Sequence, residues 1–353
     1  MKKSVSIKAP CRIDLAGGTI DLWPLYLYFG GHTLCHMAVD IFTEVKISFE
    51  ARKQRNIHIE INSFDLKENE AYTSLKSIKE SLKKDTAKVP TRWINRLCVE
   101  FIESSFKKLP TGTLKIECKS KAPPGSGLGG SSVLGVALWS GFEKLFLKKA
   151  ERTQPWDVQR KVRDLEAVEI EHPAGDQDYV PALFGGLLLF NLSYNHRSVK
   201  KVKASTAKKL AERLALVYTG ERHHSGINNW ELFTNFHKWG HPCRDHLKKI
   251  HTVSAEMAES LANDKISNFP GLLNKEWSSR KLLGEAVNAP SLKRAWTFAK
   301  SHGATARKAC GAGGGGCLLV YFPSKTKRDT FLKEKPRNRF ELYAVNVVSK
   351  GLY

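Results

Sequence analysis

Two stretches of this chain are so rich in glycine that the main chain itself must be the contact surface there. One is Ala122-Pro123-Pro124-Gly125-Ser126-Gly127-Leu128-Gly129-Gly130-Ser131-Ser132; the other is Gly311-Ala312-Gly313-Gly314-Gly315-Gly316-Cys317. Without a Cβ, glycine admits left-handed turns and lets other atoms approach the backbone. The first cluster follows an extended run, Leu114 to Cys118, and leads directly into Val133-Leu134-Gly135-Val136-Ala137-Leu138. Strand, glycine loop and helix in that order aim unpaired backbone N–H groups at an anion. The predicted helix runs to about Lys149, with Phe142, Leu145 and Phe146 keeping its buried stripe. The second cluster precedes a strand, Leu318 to Phe322. Glycine loops in both halves of the chain imply a ligand held between two domains.

Both clusters satisfy Gly-x-Gly-x-x-Gly, through Gly125, Gly127 and Gly130 and through Gly311, Gly313 and Gly316. A dinucleotide fold also wants this pattern early, within a βαβ unit. Residues 147 to 153, Leu-Lys-Lys-Ala-Glu-Arg-Thr, make a poor second strand, and no Gly-x-x-x-x-Gly-Lys-[Ser/Thr] occurs anywhere. What distinguishes the first loop is Ser131-Ser132 at the helix start. Hydroxyls there cap a helix, or they bind a phosphate and a magnesium ion beside the free N–H groups. Capping needs one serine and none of the glycines and prolines ahead of it, so phosphate binding is the reading taken.

The remaining punctuation is consistent with an α+β chain. Ser4 to Ile13 alternates as a strand and runs into Leu15-Ala16-Gly17-Gly18-Thr19-Ile20-Asp21, and Asp40 to Phe49 is again strand-like. Trp93, Leu97, Val99, Phe101, Ile102 and Phe106 predict a helix over Arg92 to Lys107. A length of 353 residues suggests two domains at roughly 150 residues each. The chain turns lysine-rich near residues 200 to 213 before a strand at Leu214 to Thr219, and mostly helical patterns follow. The expected domains are therefore 1–205 and 206–353.

The formal net charge of +22 admits nucleic acid, an acidic membrane surface or anionic small molecules as partners. The basic residues are scattered, with only short clusters such as Lys200, Lys201 and Lys203, and no basic tail that would track a polyphosphate. Seven cysteines with no Cys-x-x-Cys argue against a zinc ribbon or a disulfide framework. Neither a secretory signal nor a membrane-length apolar run is found, so the expected location is the cytoplasm, with no membrane or nucleic-acid partner.

Pro124 to Ser132 resembles the Pro-x-Gly-x-Gly-Leu-Gly/Ser-Ser-Ser phosphate loop of the GHMP kinases, named for galactokinase, homoserine kinase, mevalonate kinase and phosphomevalonate kinase. Ala9-Pro10-Cys11-Arg12-Ile13-Asp14-Leu15-Ala16-Gly17-Gly18 is similar to their first motif, and Lys308 to Cys317 to their third. Within the superfamily the nearest likeness is to kinases of D-glycero-D-manno-heptose 7-phosphate. It rests on Leu15 to Asp21, on Gly175-Asp176-Gln177-Asp178-Tyr179 through Phe184-Gly185-Gly186, and on Gly311 to Gly316. Four departures from that pattern concern the sugar more than the reaction. Asp176 replaces a lysine, a Gln between Asp178 and Tyr179 is missing, Gly130 stands where serine is usual, and Thr19-Ile20 replaces Gly-Thr.

The resemblance implies a two-domain α+β fold, ribosomal-protein-S5-like and then ferredoxin-like, with the site between the domains. It implies ATP and Mg²⁺, with Pro124, Gly125, Ser126, Gly127, Leu128, Gly129, Gly130, Ser131 and Ser132 at the ATP phosphates. Asp178 is the implied catalytic base and Arg12 its cationic partner near the transferred phosphoryl group. The bland alternatives are a turn-forming Asp, a role that suits Asp176 better, and an arginine bridging to a surface carboxylate. At the sugar the resemblance implies Asp21, Gly17, Gly18 and Thr19, with Gly313 and Gly314 of the third loop. For the metal it implies Ser131 and Glu171, since Glu169 on the same helix would point elsewhere. Lys308 is either a charge donor or a solvated lysine, and Arg222-His223-His224 falls in a substrate-side loop without metal-ligand spacing. The expected activity is ATP- and magnesium-dependent phosphorylation of the anomeric hydroxyl of heptose 7-phosphate. The rivals are a kinase of a neutral sugar such as fucose or galactose, a decarboxylase on the same fold and a basic nucleic-acid-binding protein.

Overall fold

The computed structural model describes residues 2–53, 56–84, 91–221, 225–336 and 340–352. Among them, eleven strands form two sheets. The larger holds β1 (Lys2–Ala16), β2 (His32–Ala51), β3 (Ile57–Ser63), β4 (Glu68–Tyr72), β5 (Gly112–Ser120), β6 (Leu187–Leu192) and β7 (Arg197–Lys201), in the order β4-β3-β5-β2-β6-β7 with β1 on β2. β2 pairs with β1 along most of its length, and its opposite edge is shared by β5 over 43–51 and β6 over 32–37. The smaller sheet is antiparallel, β8 (Leu214–Tyr218), β9 (Ala306–Ala309), β10 (Cys317–Tyr321) and β11 (Glu341–Ala344), in the order β11-β8-β10-β9.

The helices are α1 (Leu75–Ser81), α2 (Arg92–Ser105), α3 (Gly130–Phe146), α4 (Pro155–Ile170), α5 (Val180–Phe184), α6 (Ala204–Ala211), α7 (Ser225–His237), α8 (Cys243–Ala262), α9 (Phe269–Arg280), α10 (Pro290–Ser301) and α11 (Lys325–Leu332). α3 is apolar on nearly every side because it lies between β1 and β2 on one side and α2 and α4 on the other. Its Phe142 stacks on Phe101 of α2 at 5.0 Å, and Trp139 meets Phe101 edge-on at 5.4 Å. Each such ring buries enough apolar surface to stabilise the fold by about 1.5–3 kcal/mol. That packing makes the helix behind the first glycine loop a rigid mount.

The fold is α+β, as expected, but the strands differ in length from the sequence reading. β1 and β2 extend beyond Ser4–Ile13 and Asp40–Phe49 because residues 9–16 and 34–39 are buried without alternation. α3 ends at Phe146 instead of near Lys149. The chain end crosses back to the first half: Val348 N–H donates to Ala38 O at 2.9 Å, and Leu352 N–H to Ala182 O at 2.9 Å. All seven cysteines are buried free thiols. Among the described residues no helix is long and apolar enough to cross a membrane.

Candidate active site

The two glycine loops pack main chain against main chain. A Cβ on Gly127 would collide with Cys310 O, and one on Gly316 would sit 2.6 Å from Gly125 O and 2.7 Å from Ser126 O. Cys317 N–H donates to Ser126 O at 2.9 Å, tying β10 to the first loop. Beside this junction lies a cleft of about 420 Å³. The first intrahelical bond of α3 runs from Val133 N–H to Gly129 O, which leaves the amides of Gly130, Ser131 and Ser132 without helical partners at the cleft wall. Pro124 to Gly127 and Gly129 to Ser132 line the cleft, but Leu128 does not. Its side chain is buried in the core, and its carbonyl accepts from Arg12 N–H at 3.2 Å.

Arg12, on buried β1, reaches the same cleft. Its Nε and Nη2 donate to Asp178 Oδ1 at 2.9 and 2.5 Å, and Nη1 donates to Gly127 O at 2.5 Å. Burial works against the guanidinium charge, but Asp178 and then Asp14 more than compensate and raise its pKa. Asp178 follows a turn that Asp176 anchors: the buried Asp176 carboxylate accepts from Gln159 at 2.7 Å, Arg163 at 2.6 Å and Arg197 at 3.2 Å. Of the two aspartates, Asp176 has the structural position and Asp178 faces the cleft.

Ser131 Oγ donates to Glu166 Oε1 at 2.6 Å, while Ser132 Oγ and Tyr179 OH each donate to Oε2 at 2.7 Å. Burial pushes the Glu166 carboxyl above its ordinary range. Glu171, expected at the metal, is displaced from this place: it caps α4 with φ +57°, is exposed and does not line the cleft. Five residues along a helix carry it past the face that Glu166 presents to Ser131. Glu169 pairs instead with Arg92 and Arg96. A signal for Glu166 was present in the sequence, because it falls four residues after Val162 on the buried stripe of α4.

At the other end of the cleft, Asp21 is buried and accepts Gln177 N–H on Oδ2 at 2.9 Å, and among the described residues Oδ1 has no hydrogen-bond partner. Thr19 lines the cleft, whereas Gly17 and Gly18 are buried behind it. Gly313 and Gly314 do not line it either. The loop turns them onto Val287, whose carbonyl accepts Gly314 N–H at 3.1 Å, and Gly311 and Ala312 face the cleft in their place. Arg222, His223 and His224 lie outside the described residues. Burial raises the Asp21 carboxyl from 3.8 to about 7. The folded chain then binds a proton that the unfolded chain releases, so this group makes stability fall as pH rises from about 4 to 7. Asp21→Asn is expected to flatten that decline, read from urea midpoints at pH 5 and pH 7; identical slopes in the two chains would refute it.

Behind the loop that carries Thr19 and Asp21 lies a buried group of charges that the sequence reading missed. Lys308 Nζ donates to Asp14 Oδ2 at 2.5 Å and to Asp14 O at 3.1 Å, so this lysine is neither solvated nor at the cleft. Arg280 donates to Glu276 Oε1 from Nε at 2.8 Å and Nη2 at 2.5 Å, and its Nη2 lies 3.7 Å from Asp14. Burial opposes the charge on Asp14, yet Lys308, Arg280 and His36 together hold its carboxyl well below the usual range. Asp14 stands out in the sequence between Ile13 and Leu15, but its partner in the other half of the chain does not.

The cleft therefore joins a helix start with free amides, a carboxylate held by an arginine, and a second, half-satisfied carboxylate. Residues 94–186, which carry α2, the first glycine loop and Asp178, match the GHMP kinases N terminal domain. A D-glycero-alpha-D-manno-heptose 7-phosphate kinase of Campylobacter jejuni is 27% identical over 339 residues, covering 94% of this chain and 93% of that protein. An L-fucokinase/L-fucose-1-P guanylyltransferase of Bacteroides fragilis is 22% identical over 336 residues, covering 89% of this chain and 34% of that protein. The crystal structure of a D-glycero-D-manno-heptose 1-phosphate kinase from Bacteroides thetaiotaomicron has the same fold, with a TM-score of 0.74 at 19% identity over 99% of this chain and 97% of that one. A domain match that spans the first glycine loop, together with a kinase relative aligned almost end to end, identifies residues 94–186 as a GHMP kinase N-terminal domain and the chain as a phosphotransferase with an alcohol acceptor.

Proposed function

We propose that the chain transfers the γ-phosphoryl group of ATP to the anomeric hydroxyl of a sugar, with D-glycero-D-manno-heptose 7-phosphate as the acceptor. The observation that carries this reading is the Arg12–Asp178 pair, which stands in one cleft with the free α3 amides and the unpartnered Asp21 oxygen. The amides of Gly130, Ser131 and Ser132 bind the ATP phosphates. Asp178 Oδ1 is occupied by Arg12, and Oδ2 takes the proton from the attacking hydroxyl. Arg12 keeps Asp178 oriented and stabilises charge developing on the phosphoryl group, since such transfer depends chiefly on positioning and charge neutralisation. Asp21 Oδ1 accepts a hydrogen bond from another hydroxyl of the acceptor.

Ser131 Oγ and Glu166 Oε1, 2.6 Å apart, are two hard oxygens beside the phosphate-binding amides and fit Mg²⁺, which takes one or two protein groups and fills its shell with phosphate and water oxygens. Magnesium bound there supplies neutralisation of phosphate charge. Glu166 is thus the metal carboxylate of the proposal, in place of Glu171.

A kinase of a neutral sugar is the second reading, supported by the fucokinase relative. The test is ADP release in the presence of heptose 7-phosphate, heptose, fucose and galactose. Turnover is expected with the heptose 7-phosphate; turnover confined to neutral sugars moves the assignment to the second reading, and ADP release with none of them removes the sugar.

A further inference from the structure

Thr19 has a backbone angle of φ +81°, the left-handed region, and among the described residues it is the one β-branched side chain there. Such a conformation is an outlier for a branched residue and persists only where the surroundings over-determine it. Arg280 is what over-determines it. Its Nη1 donates to Thr19 Oγ1 at 2.7 Å and its Nη2 to Gly18 O at 2.8 Å, while Glu276 and Asp14 fix the guanidinium from behind. All of Arg280, Glu276 and Asp14 are buried. The arginine is therefore held by acids on one side and holds the acceptor loop on the other.

Thr19 also stands at a boundary. Together with Asn229 and Ala312 it lines both the cleft and a smaller cavity bounded by Leu232, Leu283 and Val287. Arg280, a donor only, fills one lone pair of the Thr19 hydroxyl, and among the described residues nothing accepts the hydroxyl proton.

We propose that Arg280 is a positioning residue that pins Thr19 in this conformation, so that its side chain closes the acceptor end of the cleft and limits how long an acceptor the enzyme takes. The proposal rests on the kinase reading above for its use, but the pinning itself is a property of the chain alone.

Three variants test it. Thr19→Val keeps the branched shape and removes the oxygen, Thr19→Ser keeps the oxygen, and Thr19→Gly removes the wall. Hydrogen–deuterium exchange over residues 16–22, without any ligand, is expected to quicken about tenfold in Thr19→Val and to stay within about threefold in Thr19→Ser. With the acceptor found in the sugar panel, Thr19→Val raises the acceptor KM about tenfold with the ATP KM within about twofold, and Thr19→Gly shifts kcat/KM about tenfold toward a one-carbon-longer acceptor. Equal exchange in the Val and Ser variants overturns the pinning, and unchanged selectivity in Thr19→Gly overturns the wall. Absence of turnover with every sugar in the wild-type chain defeats the sugar reading instead, and the exchange comparison still decides the role of Arg280.

Discussion

Asp178→Asn is expected to lower sugar-dependent ADP release by about 10²- to 10⁴-fold, the usual effect of losing a positioned general base. The amide keeps an oxygen for the two Arg12 donors that now meet Oδ1 at 2.9 and 2.5 Å, so the turn and the arginine stay in place. It has no site that takes the proton of the attacking hydroxyl. In the proposed mechanism ATP is held by the α3 amides and not by this carboxylate, and removing a negative charge near the phosphates does not weaken that hold. The ATP affinity measured by titration calorimetry is therefore expected to be equal to or tighter than that of the wild-type chain. A variant that turns over within about tenfold of the wild type would show that positioning alone drives the transfer and that Asp178 is a structural partner of Arg12.

Lys308→Met is expected to destabilise the fold by about 3–5 kcal/mol, because removing one partner of a buried pair leaves the other charge uncompensated. Lys308 and Asp14 are both fully buried, and the lysine contributes two of the donors around Asp14. The pH dependence has a definite sign. A carboxyl held low in the folded state contributes stability above the ordinary carboxyl range, and that contribution fades as pH falls below about 4. The Lys308→Met deficit, measured by urea denaturation, should thus be largest near neutral pH and shrink in acid. Asp14→Asn in the Lys308→Met background should recover part of the loss, and strictly additive effects of the two changes would mean the pair is not coupled.

Much of the glycine-loop end of the cleft was legible because it depends on local chemistry. A glycine loop that leads from a strand into a helix starting with serines specifies free amides and hydroxyls within a dozen residues, and the structure shows Ser131 and Ser132 at that helix start. Leu128 was the exception, since a pattern of loop residues does not say which side chain turns into the core. The acceptor end was less legible. Gly17, Gly18, Gly313 and Gly314 belong to the right loops, but whether a loop residue faces a cleft or its own support depends on what packs behind it. Glu171 and Glu166 differ by five positions on one helix, and only the packing of α4 against α3 decided which of them meets Ser131.

The chain alone determined the two glycine loops and the helix start with its free amides, because these are encoded in a short run of residues, while the fold class and Asp178 were implied by motifs that resemble those of the GHMP kinases. Tertiary structure alone decided the pairing of Asp14 with Lys308 across 294 positions and the hold of Arg280 on Thr19 across 261. It also turned the end of the chain back onto β2. A buried charge must find its counter-charge wherever the fold brings one near, and sequence spacing carries no record of that meeting.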